Sequence, residues 1–191
     1  IVVLGITPDR PETGYGYIKC ASGTQAARVV SQFVEKPDLV TAERYLADGN
    51  YTWNSGMFVL RASTWLDALK RFRPDILSST ANAWAARKTD QRFVRPGAAE
   101  FAAVPSESID YAVMEHCPGS GIDIRMVPLS AGWNDLGAWD AVWQVAAKDG
   151  MGNAALGDAM ITGSRNSLVH ASSRLVSLVG VDNLVVIETA D

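Results

Sequence analysis

Phe33-Val34-Glu35-Lys36-Pro37 sets a carboxylate and an ammonium side by side at the end of an apolar, valine-rich run, and Pro37 stops the strand there. An acceptor and a cation then stand at a strand end, where open α/β sheets hold their ligands. The Glu35 carboxylate can accept from two sugar hydroxyls, and the Lys36 ammonium can hold a phosphate as a point charge. An ordinary solvated strand exit has the same composition, so the pair alone decides nothing. A second constellation is Trp133-Asn134-Asp135-Leu136-Gly137. An aspartate on a tight bend can hold a hard cation such as Mg²⁺ through one carboxylate, with water and a substrate phosphate completing the shell. Asp135 as the N-cap of a following helix accounts for it equally well. In a third stretch, Ser106 to Glu115, Ser106 and Ser108 are helix caps and Asp110 sits in a first turn, where negative charge is favoured. Asp110 pointing into a cleft is the alternative.

These residues need a scaffold, and the chain alternates apolar strands with amphipathic helices. Strands are expected at Ile1–Ile6, Gly14–Ile18, Val29–Val34, Met57–Leu60 and Ile122–Val127. Gly14 and Gly16 let backbone approach a ligand closely, but no third glycine and helix follow to make a dinucleotide fingerprint. Asp38 caps a helix that runs to about Asp48 and stops at Gly49. Ser63 caps a second helix bearing Trp65, Leu66, Leu69 and Phe72, another follows Pro74, and Ser106 opens one with Ile109, Val113 and Met114 inward. Leu136–Ala147 is a helix carrying Trp139 and Trp143. Beyond Gly150 come short strands at 159–161, 167–169, 175–179 and 184–187, separated by Gly163-Ser164-Arg165-Asn166 and Val181-Asp182-Asn183. Regular short strands with such turns describe a small β-solenoid.

At 191 residues, 48% of them apolar, the chain is one domain or one domain with part of another. A net charge of −4 with interspersed signs leaves no footprint for nucleic acid, and no apolar run is long enough to span a membrane. The apolar start lacks the basic flank and cleavage site of a signal peptide, so the cytoplasm is the default compartment. Cys20 and Cys117 are too far apart in sequence to suggest a metal cluster and read as packing residues; His116 beside Cys117 does not converge with it on a helix. His116 and His170 lack a nucleophile-and-base arrangement, and no Gly-x-Ser-x-Gly elbow, Walker loop or His-Glu-x-x-His occurs.

Read in order, Pro11 to Ile18 (PETGYGYI), Phe33 to Pro37 (FVEKP), Trp53 to Phe58 (WNSGMF), Ser108 to Glu115 (SIDYAVME) and Trp133 to Gly137 (WNDLG) make the chain closely resemble the bacterial mannose-1-phosphate guanylyltransferases, the GDP-mannose pyrophosphorylases of the sugar nucleotidyltransferase family. The motifs span nearly the whole chain, and the first and fourth favour the mannose and guanine branch. The resemblance implies transfer between GTP and mannose 1-phosphate, giving GDP-mannose and pyrophosphate with Mg²⁺. It implies that Lys36 holds the sugar phosphate, that Glu35 and Asn54 take sugar hydroxyls, that Gly16 backbone lies against the sugar with Asp110 beside it, and that Asp135 ligates the metal. Lys36 and Asp135 become the catalytic pair. Position 138 is Ala where family members commonly carry a hydroxyl, which removes a neighbour expected to support Asp135.

The expected fold class is therefore α/β: a Rossmann-like nucleotidyltransferase, a mixed sheet flanked by helices, followed by a partial β-helix. Residues 1–148 are expected to form the C-terminal, sugar-phosphate part of the transferase domain and 149–191 the start of the β-helical extension. The family's glycine-rich nucleotide loop is expected upstream of Ile1, so the chain alone is expected to be inactive. The family's use of such coils at subunit contacts implies a homo-oligomer. Two alternatives stay open: a relative using glucose 1-phosphate with UTP or dTTP, and a non-catalytic sugar-phosphate-binding or scaffold subunit.

Overall fold

In the computed structural model, which describes residues 1–21 and 25–190, the valine-rich runs pair into a mixed sheet. Its strands are β1 (Val2–Ile6), β2 (Tyr17–Cys20), β3 (Arg28–Val34), β4 (Tyr51–Val59) and, after the helices, β7 (Arg125–Pro128). β1 is parallel to β7 and antiparallel to β4; β2 joins β4 to β3, both antiparallel. The sheet is mixed, as expected, and it also closes: the first residues of β3 pair with β7 through Arg28 opposite Met126 and Val29 opposite Arg125. A register shift between Lys19 and Cys20 separates this part of β3 from the part that pairs regularly with β2.

Successive residues of a strand face opposite sides of the sheet, and β2 shows what each side buries. Tyr17 joins a cluster of Ala42, Tyr45, Tyr51 and Trp53, in which the Tyr45 and Tyr51 rings stack 3.9 Å apart. Ile18 joins the larger core of Val3, Val30, Phe33, Leu69, Val113, Met114 and Met126. Helix α1 (Leu39–Asp48) covers the first side through Ala42 and Tyr45. It forms as expected: Asp38 Oδ1 accepts from Thr41 N–H at 2.7 Å, and Gly49 closes it in the left-handed region at φ 73°. The other side is covered by α2 (Ala62–Phe72), α3 (Pro74–Ala85) and α5 (Ile109–Ala112), with a 3₁₀ turn at Met114–His116. A short hairpin, β5 (Lys88–Asp90) with β6 (Phe93–Arg95), precedes α4 (Ala98–Ala102); its residues are all exposed and carry no alternation a sequence reading could use.

Several local expectations shift. Helix α2 starts one residue before Ser63, so Arg61 occupies its N-cap and Ser63 lies inside the first turn. Ser108, not Ser106, caps α5, accepting from Tyr111 N–H. Strand β4 begins at Tyr51 rather than Met57, because Tyr51 and Trp53 bury their rings in the aromatic cluster. Cys117 is fully buried in the core, and burial pushes its thiol up to about 11; the half-buried Cys20 thiol is raised for the same reason. Both behave as packing residues.

Residues 1–131 form one compact unit and 132–191 a second. The second holds α6 (Trp139–Val145), with Ala138 rather than Asp135 at its N-cap, and the Trp143 indole donates to Gly152 O at 2.9 Å. It also holds five parallel strands: β8 (Ala154–Leu156), β10 (Leu168–Ala171) and β12 (Val185–Glu188) in one sheet, β9 (Ala159–Thr162) and β11 (Val176–Val179) in another. Ala159 lies opposite Val176, Arg165 opposite Asp182 and Leu168 opposite Val185, each pair seventeen residues apart. The turns repeat at the same interval. Gly163 and Gly180, then Asn166 and Asn183, all have positive φ, the region that glycine and asparagine enter most readily. Among the described residues no helix is long and apolar enough to cross a membrane.

Candidate functional site

The exit of β3, the start of β2 and the middle of β4 meet at one place. Asn54 N–H donates to Gly16 O at 2.7 Å, and Lys36 N–H donates to Tyr15 O at 3.2 Å. These bonds bring Gly16, Glu35, Lys36 and Asn54 together, and Asn54 Nδ2 then donates to Asp110 Oδ1 at 3.1 Å. The fit is tight around Gly16: a Cβ there would lie 2.4 Å from Glu35 Oε2 and 3.1 Å from Asn54 Cβ. Only glycine lets the carboxylate approach the backbone so closely.

The two halves of the Glu-Lys pair have opposite environments. The Glu35 side chain is 9% exposed and Lys36 is 56% exposed, with Nζ 3.4 Å from Glu35 Oε1. Glu35 Oε2 is buried with no hydrogen-bond partner, an unusual state for a carboxylate oxygen. Burial, and then the Asp110 charge, raise the Glu35 carboxyl above its ordinary range, with Lys36 opposing them. Asp110 is raised too, by burial first, while its own backbone N–H, the Asn54 amide and Lys36 pull the other way. Lys36 adopts φ 47°, a left-handed conformation that an unbranched L-residue holds only at a cost of about 1–2 kcal/mol. Asn54 is 8% exposed and its Oδ1 accepts from Gly56 N–H at 3.0 Å, which fixes its amide.

Chemically, this is an oriented acceptor with a free lone pair beside an exposed cation. It suits a ligand that offers hydroxyls on one side and an anion on the other. Of the residues singled out from sequence, Gly16, Glu35, Lys36, Asn54 and Asp110 come together. Asp135 belongs to the second unit, exposed in the loop between Gly132 and α6, where Leu136 has φ 50° and donates its N–H to Asn134 Oδ1 at 2.9 Å. Among the described residues no three His, Cys, Asp or Glu side chains converge as a protein-built metal cage would need. One site residue had no assigned part in the sequence reading: Glu115 Oε1 accepts from Glu35 N–H at 2.7 Å. Its signal was its place at the end of the Ser108–Glu115 motif.

Comparison with known proteins follows the same residues. Residues 1–151 match the family described as nucleotidyl transferase. The xanthan biosynthesis protein XanB of Xanthomonas campestris pv. campestris strain B100 is 49% identical over 191 residues, and the mannose-1-phosphate guanylyltransferase of Escherichia coli K12 is 47% identical over 196. Both alignments cover all of this chain, which spans 40% of the length of either relative. A solved structure from Thermus thermophilus, described as a mannose-1-phosphate geranyltransferase, superposes on the whole chain with a TM-score of 0.83 at 31% identity, over 53% of its own length.

Proposed function

This chain belongs to the nucleotidyl transferase family, and from that premise we propose that it carries the sugar-phosphate half of a mannose-1-phosphate guanylyltransferase site, where GTP and mannose 1-phosphate give GDP-mannose and pyrophosphate. The observation that carries the reading is the buried, unpartnered Glu35 Oε2 held against Gly16 with the exposed Lys36 ammonium beside it. The names of the relatives support the choice of mannose and guanine, and names such as xanthan and alginate biosynthesis protein support a role in supplying polysaccharide precursors. The reading assigns residues 1–148 to the transferase domain and 149–191 to the start of a β-helical extension, supported by parallel pairs seventeen residues apart for β9–β11 and β10–β12 and fourteen for β8–β10.

In the proposed reaction a phosphate oxygen of mannose 1-phosphate attacks the α-phosphorus of GTP. A new P–O bond forms, the bond from the α-phosphorus to the α–β bridging oxygen breaks, and its electron pair leaves with pyrophosphate. The nucleophile is already an anion, so no general base is needed; alignment and charge neutralisation are the main requirements. Lys36 holds the attacking phosphate and offsets its charge. Glu35 accepts from a pair of sugar hydroxyls, the Asn54 side chain takes another, Asp110 fixes the Asn54 amide, and Gly16 gives the ring room to lie against backbone. Asp135 fits a Mg²⁺ ion by its chemistry: a single exposed, hard carboxylate suits a cation that keeps several waters and takes its other ligands from phosphates. When bound, the metal would neutralise phosphate charge in the transition state.

The test is ligand-detected NMR of this chain with mannose 1-phosphate, with and without Mg²⁺, beside Lys36→Ala and a glucose 1-phosphate control. Binding selective for mannose 1-phosphate and lost in Lys36→Ala is expected. Binding that survives the substitution, or that does not distinguish the two sugars, overturns the assignment.

A further inference from the structure

Strand β3 ends at Val34, so the N–H groups of Glu35 and Lys36 lie beyond the run paired with β2. Each is nevertheless held. Lys36 N–H donates to the Tyr15 carbonyl, and Glu35 N–H donates at 2.7 Å to the carboxylate of Glu115, eighty residues further along the chain. A backbone amide given to a carboxylate forms a shorter and stronger bond than one given to a carbonyl.

The origin of that carboxylate is a break in a helix. α5 lasts only four residues; Val113 leaves helical geometry at φ −136°, and the chain tightens into the 3₁₀ turn Met114–His116. Ala112, Val113, Met114 and Cys117 are all buried in the main core, which pins the turn on both sides of Glu115. Had α5 continued, Glu115 and Asp110 would stand five residues apart on a helix, about 140° from a common face. The break instead lets one short segment reach both arms of the site: Asp110 takes the Asn54 amide from β4, and Glu115 takes the Glu35 N–H from β3.

We infer that Glu115 is a positioning residue of the sugar-phosphate site: its carboxylate clamps the exit of β3, so that the Glu35 side chain lies against Gly16 and the Lys36 ammonium is held beside it. The inference deepens the proposed function and rests on it. Glu115 acts through the Glu35 backbone. The clamp is the hydrogen bond itself, which the charge strengthens; glutamine keeps the Oε1 acceptor and so most of the bond.

The experiment compares the 191-residue chain with Glu115→Ala and Glu115→Gln in three measurements: mannose 1-phosphate affinity by NMR titration, exchange of the Glu35 amide hydrogen in the free protein, and Tm. In Glu115→Ala the Glu35 amide should exchange at least about tenfold faster while the Phe33 amide keeps its protection, and affinity should fall by about tenfold or more, the size expected for one bond to a charged acceptor. Glu115→Gln should restore both to within about threefold. Unchanged affinity in Glu115→Ala with a faster Glu35 amide reduces Glu115 to a structural contact and overturns the inference. So does a Glu115→Gln variant as impaired as the alanine, which would make charge the cause. An unchanged Glu35 amide in Glu115→Ala refutes the clamp itself. Failure of the parent chain to bind mannose 1-phosphate strikes at the function instead, and with it the inference, while the exchange data still report whether the clamp exists.

Discussion

The exit of β3 and the turns of the parallel stack use the same backbone device for opposite ends. Lys36, Asn166 and Asn183 all sit in the left-handed region, at φ 47°, 48° and 57°. In the stack that conformation falls to asparagine, repeats with the strands, and is surrounded by satisfied groups: Ser167 Oγ donates to Arg165 O and accepts from Leu184 N–H, Ser164 Oγ accepts from Val181 N–H, and Asn153 bridges Asp149, Ser164 and Ser167. At the β3 exit it falls to a lysine and stands beside a buried carboxylate oxygen with no partner. Among the described residues, all the buried side-chain atoms found without a partner lie in residues 1–131. At the β3 exit, strain and an unmet hydrogen bond coincide where a ligand could relieve them; in the stack the same conformation serves register alone.

Substitutions can break that contrast, and the largest effect should come from Gly16→Ala. The added methyl meets Glu35 Oε2 and Asn54 Cβ, and the latter cannot swing away, so mannose 1-phosphate affinity should fall by more than about 100-fold, measured by NMR titration on protein shown folded by circular dichroism. Lys36→Ala should lower affinity by about 10- to 100-fold through loss of a charge-assisted contact to phosphate. Lys36→Gly sharpens the point: affinity should fall as far while Tm rises, because glycine relieves the positive φ. In the stack, Ser167→Ala should do the reverse, costing about 1–3 kcal/mol of stability by denaturant unfolding and leaving affinity unchanged.

The smallest effect is in protonation. The folded state holds the Glu35 proton more tightly than the unfolded chain does, so the Glu35 carboxyl carbon should titrate above the ordinary glutamate value of about 4.3. Stability falls as pH climbs from that value to the raised one, and is flat beyond it. Glu35→Gln should therefore raise Tm at neutral pH even as it replaces one of the two acceptor oxygens with a donor. A midpoint at or below about 4.3 would remove the contrast between the two regions.

What could be read in the sequence was what neighbours along the chain decide. Asp38 and Gly49 bound α1 through contacts a few residues long, and Pro37 marks the strand exit by its own geometry. The Gly16, Glu35 and Lys36 positions followed from those local signs together with the family likeness. Only the Met57–Leu60 part of β4 was legible as strand, because Trp53-Asn54-Ser55-Gly56 has loop composition; burial of Tyr51 and Trp53 against α1 extends the strand back to Tyr51. Closure of the sheet through Arg28 and Val29 is a contact across nearly a hundred residues, and no local pattern encodes it. Glu115 stayed without a role because its direction depends on the break at Val113, and that break depends on the core beneath it.

The seventeen-residue interval also sets how this part of the chain can change in length. Removing one residue between Gly163 and Val179 would set Arg165 against the wrong neighbour, or move an asparagine out of the left-handed position and a buried leucine onto the outer face. Inserting a whole turn would give every residue on either side the same kind of neighbour it had before. From β9 to β12, then, a whole turn and not a fraction of one preserves the register, and the fourteen-residue step from β8 to β10 shows that a turn of another length needs its own set of turn residues.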